Sequence, residues 1–161
     1  MHSRGVLCAL VKAASFAVLV CGALGGVRAN AQTVVIKNLT DLALGSWSGT
    51  ANMVGTGNLC VGSSTSGRGY SVRATGSGTG GIFLVSNGTS QLPYTLEYKS
   101  NAGFQALAAN TTLGGQVGAA VTGCNSGQLN GQIRVTFLLA DLSAATSGAY
   151  SGTLTLLVTP Q

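Results

Sequence analysis

Beyond residue 31 the chain holds three carboxylates, Asp41, Glu97 and Asp141, and no histidine. General acid–base catalysis needs titratable groups with tuned pKa values, and this set offers few. A serine nucleophile would lack its histidine, and a Ser–Lys dyad would have to use Lys37 or Lys99 with no supporting motif. Asp41-Leu42 and Asp141-Leu142 suit turn or cap hydrogen bonding, while Glu97, between Leu96 and Tyr98, reads as a solvated strand residue beside Lys99. Gly76, Gly78 and Gly81 satisfy G-x-G-x-x-G, but a dinucleotide loop must open a helix whose N-terminus faces a pyrophosphate. The run Ile82-Phe83-Leu84-Val85 that follows is strand-like, so the glycines read as a hairpin turn. Without histidine no zinc site can be assembled. The residues therefore argue against an enzyme, a cofactor or a metal.

Cys60 and Cys124 are the remaining candidates for chemistry. The first thirty residues carry Arg4 and Lys12, an apolar run from Ala13 to Leu24, and Ala29-Asn30-Ala31 before Gln32. A dozen apolar residues suit a signal-peptide core, whereas a membrane span needs about twenty. Residues 1–31 are accordingly expected to be a cleaved leader, leaving 32–161 as one domain with no membrane span. Cys8 and Cys21 leave with that segment, and an even pair in an oxidising compartment reads as a disulfide. Closing so long a loop is worth about 4 kcal/mol in the chain-entropy account.

The chain carries a formal charge of +5, but Arg4, Lys12 and Arg28 sit in the leader. Lys37, Arg68, Arg73, Lys99 and Arg134 remain, scattered singly, so nothing grips a phosphate backbone and nucleic acid is not an expected partner. Three N-x-S/T sequons, at Asn38, Asn87 and Asn110, are expected by chance in a chain this rich in Asn and Thr. The sole tryptophan, Trp47, reads as core or corner packing.

The elements that position these residues are strands. Strand-like runs recur at 33–37, 59–61, 69–75, 82–86, 94–99, 132–139 and 150–159, separated by Gly, Ser, Asn and Thr clusters. Leu96 and Tyr98 alternate with polar neighbours, as do Ile133, Val135 and Phe137, and then Leu154, Leu156 and Val158. A single helical turn is expected at 140–145. Short strands with glycine-rich turns predict an all-β fold, a β-sandwich of two packed sheets.

Three segments carry a resemblance. Asp41-Leu-Ala-Leu-Gly-Ser-Trp47, Leu92-Pro-Tyr94 and Gly148-Ala-Tyr-Ser-Gly-Thr-Leu154, in that order, resemble the spore coat protein U domain family, which is similar to subunits of archaic chaperone–usher pili. The resemblance implies an immunoglobulin-like sandwich one strand short, completed by a partner's strand. It also implies handling by a periplasmic chaperone and an outer-membrane usher, with export through the periplasm to the cell surface. The terminal run with Tyr150, Leu154, Leu156 and Val158 would then be the acceptor edge strand. The expected role is a structural or adhesive surface subunit, the alternative a self-contained secreted sandwich that binds a ligand or carbohydrate without forming a fibre.

Overall fold

A computed structural model describes residues 31–161 apart from residue 102. Residues 1–30 of the expected leader lie outside the described residues. The described strands are β1 (Val34–Lys37), β2 (Met53–Ser63), β3 (Gly69–Thr75), β4 (Leu84–Ser86), β5 (Gln91–Pro93), β6 (Thr95–Lys99), β7 (Gln105–Leu107), β8 (Thr112–Val117), β9 (Gly131–Phe137) and β10 (Thr155–Pro160). Two short helices, α1 (Val121–Asn125) and α2 (Leu139–Ala144), flank β9.

Alternation decides the layering. On β9 Ile133, Val135 and Phe137 are buried while Gln132, Arg134 and Thr136 are half-exposed, and on β6 Leu96 and Tyr98 are buried between polar neighbours. These strands join β2 in one antiparallel sheet of order β1-β2-β9-β6-β7. A second sheet runs β10-β3-β8, and β4 with β5 forms a small ribbon. Leu59 and Val61 from the first sheet meet Tyr70, Val72 and Ala74 from the second in one apolar core. The fold is an all-β sandwich, as the strand pattern predicts.

Strand order makes the comparison with an immunoglobulin sandwich specific. Such a fold places strands A-B-E-D in one sheet and C-F-G in the other. In chain order β1, β2, β3, β6, β9 and β10 take the positions A to F, with β4–β5, β7 and β8 as additions. Among the described residues no strand takes the G position beside β10.

Several boundaries differ from the sequence reading. β2 begins at Met53, not near Leu59, because its inward positions 55 and 57 are glycines that hide the apolar alternation. Leu42 and Leu44 supply the missing bulk: a Cβ on Gly55 would fall 3.1 Å from Leu42 Cδ2 and closer still to Leu44 Cδ2. The Leu-Ala-Leu-Gly-Ser-Trp segment thus plugs the core beside β2, and Trp47 packs there half-buried, its Nε1 donating to the Ala51 carbonyl at 2.7 Å. The 76–81 glycines do close a tight loop, with Gly76 N–H donating to the Gly81 carbonyl at 2.8 Å. That loop is not a two-strand hairpin, however, because β3 and β4 belong to different sheets. The helical turn expected at 140–145 is α2, one residue earlier. Its first amide is capped from outside, by Asn52 Oδ1 accepting from Leu139 N–H at 2.8 Å, and not by Asp141.

Candidate functional site

β1 and β10 are the two strands whose second edge is unpaired on the same side of the sandwich. Among the described residues β1 pairs only with β2, in the register Val34↔Ser63 to Lys37↔Cys60, and β10 only with β3, from Thr155↔Thr75 to Pro160↔Tyr70. The two strands lie near one another across the gap between the sheets. Their inward side chains, Val34 and Ile36 on one and Leu156 and Val158 on the other, pack on the core yet stay half-buried. The corresponding inward residues of the interior strands β9 and β6 are buried. Half-covered aliphatic side chains beside unpaired backbone edges thus line the groove between the two strands.

The residues expected at the acceptor edge divide between strand and loop. Leu156 and Val158 lie on β10 and point to the core face, opposite the exposed Leu157. Leu154 packs half-buried just ahead of the strand. Tyr150 stands apart from it: the strand begins at Thr155, and the preceding residue pair is an isolated bridge between Ser151 and Ser86. The Tyr150 hydroxyl donates to the Thr146 carbonyl at 2.9 Å. Hydrogen bonds with Ser90 and Thr146 hold its pKa below the ordinary tyrosine value. Tyr150 thus anchors the turn that delivers β10.

The β1 side of the groove is fixed by the disulfide. Cys60 on β2 and Cys124 on α1 are joined, with Cα atoms 5.5 Å apart, and both are buried against Ala119 with Val35 of β1 packed over them. Gly62 makes this approach possible, since a Cβ there would meet Val121 Cα at 2.9 Å and Val35 Cγ2 at 3.2 Å. After β8 the chain crosses from one sheet to the other: Gly118 N–H donates to the Arg68 carbonyl beside β3, and Ala119 N–H to the Val61 carbonyl on β2. Sequence reasoning found the cysteine pair but not α1, whose Val-Thr-Gly-Cys-Asn has no helical periodicity.

The outer face of the five-stranded sheet gives Glu97, on β6 as expected, a partner from another strand. It accepts two hydrogen bonds from Arg134 on β9, at 2.6 and 2.8 Å, across the register pair Glu97↔Arg134. This hydrogen bonding holds the Glu97 carboxyl below its usual value. The guanidinium stacks on Phe104, its Cζ 4.0 Å from the ring centroid. The three sequon asparagines serve the backbone: Asn38 and Asn110 have φ of 61° and 59°, and Asn87 Oδ1 accepts from Ser90 N–H at 2.7 Å.

No family model matches the chain, and no curated protein matches it. Among solved structures the fold is similar to a chain of a chaperone–tip adhesin complex described as vital for synergistic activation of CFA/I fimbriae biogenesis. The TM-score is 0.55 at 17% identity. The likeness is one of fold. It covers 81% of this chain but only 41% of that one, so this chain spans less than half the length of its structural neighbour.

Proposed function

We propose that this chain is an exported, fimbria-related surface subunit whose sandwich accepts a partner's strand between β1 and β10. The observation that carries the reading is that no described strand takes the G position, between two edges unpaired among the described residues whose inward Val34, Ile36, Leu156 and Val158 are only half-buried. An added strand would gain main-chain hydrogen bonds along β10 and cover these side chains, with side-chain pockets setting its register. At about 25 cal/mol per Å² of apolar surface, covering several aliphatic side chains is worth a few kcal/mol. That is a large share of the stability of a small domain. The fimbrial chaperone–adhesin neighbour supports a chaperone and fellow subunits as the strand's sources; export past an usher to the cell surface is part of the same proposal. No reaction is assigned to the chain. Its one ion pair among the described residues, Glu97 with Arg134, ties up the carboxylate that stands beside cations.

A synthetic peptide of alternating aliphatic and polar residues, added to the purified protein, should raise its Tm by about 5–10 °C at saturating concentration. The same composition with proline at the centre should leave Tm unchanged, because proline cannot donate to the ladder. An indifferent, monomeric protein would sink the proposal and favour a self-contained sandwich.

A further inference from the structure

Two open hollows adjoin where the outer face of the five-stranded sheet meets the loop that follows β1. One is lined by Lys99, Gln132 and Asn58, the other by Asp41, Thr56 and Asn58, and both include Leu129. We propose that together they form a cleft for an acidic oligosaccharide, with a uronic-acid residue in the Lys99 hollow and a neutral sugar in the Asp41 hollow.

Three observations lead there. The polar groups suit sugar hydroxyls, which present donors and acceptors in adjacent pairs. Gln132 Nε2 donates to Asn58 Oδ1 at 2.9 Å, an arrangement that fixes both amides. It leaves the Asn58 amide hydrogens and the Gln132 carbonyl oxygen for another molecule. The charges are placed asymmetrically. Lys99 has no carboxylate partner among the described residues, since Glu97 is taken by Arg134, so its ammonium can meet a ligand carboxylate. Asp41 lines only the second hollow, where it would accept hydroxyls and repel a second acidic sugar.

The third observation is Leu129, 53% exposed at the junction of the hollows. Its neighbours are pinned: Gln128 N–H donates to the Gly123 carbonyl at 3.2 Å, and Asn130 N–H to the Leu59 carbonyl at 3.2 Å. The Asn130 side chain also clamps Val61, accepting from its N–H at 2.8 Å and donating to its carbonyl at 2.9 Å. An aliphatic side chain is thus held out to solvent on a fixed loop, ready to lie against the apolar face of a pyranose ring. Fixing such contacts in advance lowers the ordering cost of binding. A metal ion is the poorer fit, because no group of three ligating side chains exists among the described residues. Nucleic acid would need more than one lysine.

The Asp41 hollow begins at Asn38, one residue past β1, so the two proposals are told apart by which residues respond and not by distance. The probes are a hyaluronan tetrasaccharide, which alternates uronic acid and N-acetylhexosamine, and chitotetraose as its neutral counterpart. Amide chemical shifts of the purified protein would be followed in each titration. The hyaluronan fragment should shift residues 41–43, 56–58, 99–100 and 129–132, and bind about tenfold more tightly than chitotetraose, the worth of one charge-assisted contact. Lys99→Gln should remove that preference with Tm unchanged, and Leu129→Ser should weaken both sugars. Absence of shifts from both sugars overturns the proposal. So do shifts confined to β1 and β10, or a preference that survives Lys99→Gln.

Discussion

Tyr70 and Tyr98 join the two sheets through their hydroxyls, 2.7 Å apart inside the core. Burial raises both pKa values; for Tyr98 the hydrogen bond with Tyr70 adds to the rise, and for Tyr70 bonds with Tyr98 and Ser100 partly offset it. Both phenols therefore stay neutral, and Tyr98 depends on Tyr70 for its hydrogen bond. Tyr70→Phe should cost about 1–3 kcal/mol, because it strands a buried hydroxyl on Tyr98. The double change of Tyr70 and Tyr98 to Phe should cost less than the sum of the single changes. Urea unfolding of the three variants measures the coupling, and strict additivity would show that the bond contributes nothing. Tyr98 was legible as an inward strand residue, since Leu96 and Tyr98 alternate with polar neighbours. Its partner was not, because Tyr70 lies on another sheet.

At the scale of elements, β2 shows how glycine lets layers approach. Its residues Met53 to Asn58 alternate between inner and outer faces, but from Leu59 to Ser63 all are buried. The outer face of that second half is covered by α1 and by Val35, an approach that Gly62 permits. Gly62→Ala should cost about 1–3 kcal/mol, since the Val121 backbone must retreat. Gly103→Ala is the control: a Cβ there meets nothing within 4 Å, and stability should hardly move. Equal effects on chemical denaturation would mean that α1 yields without cost. A similar blindness affected β8, where Thr-Leu-Gly-Gly-Gln-Val has no apolar alternation and its pairing with β3 is interrupted by a bulge between Tyr70 and Val72. Buried Gln116 stands where an apolar residue would have marked the strand; its amide donates to the Gly114 carbonyl and its oxygen accepts from Ser100.

For the molecule as a whole, the disulfide couples a long loop to the β1 side of the groove. Cys60 and Cys124 are 64 residues apart in sequence, and everything from β3 to β8 lies between them. Replacing both by alanine should cost about 4 kcal/mol, chiefly by freeing the unfolded chain. In a domain of this size that is a fall in Tm of about 10 °C or more. Thermal unfolding of the double variant against the oxidised protein tests it. Hydrogen exchange at β1 should accelerate more than at β10, because only β1 rests on the Cys60–Cys124 cluster. Uniform acceleration would mean that the bond acts on the unfolded state alone.

What the sequence determined by itself is what short-range patterning can encode. Alternation at Leu96 and Tyr98, and at Ile133, Val135 and Phe137, specified inward faces and hence an all-β sandwich. Two cysteines left after the expected leader specified their own pairing, as found between β2 and α1. The inward face of Leu156 and Val158 was legible too, although Tyr150 proved to belong to the preceding turn. Tertiary structure alone decided which strands neighbour one another. Pairing order depends on contacts far apart in the chain, such as Arg134 with Glu97, which local pattern does not reveal. Only the folded chain brings β1 and β10 to the two sides of one gap, because backbone edges carry no side-chain signature and become a groove solely through their neighbours' absence on one side.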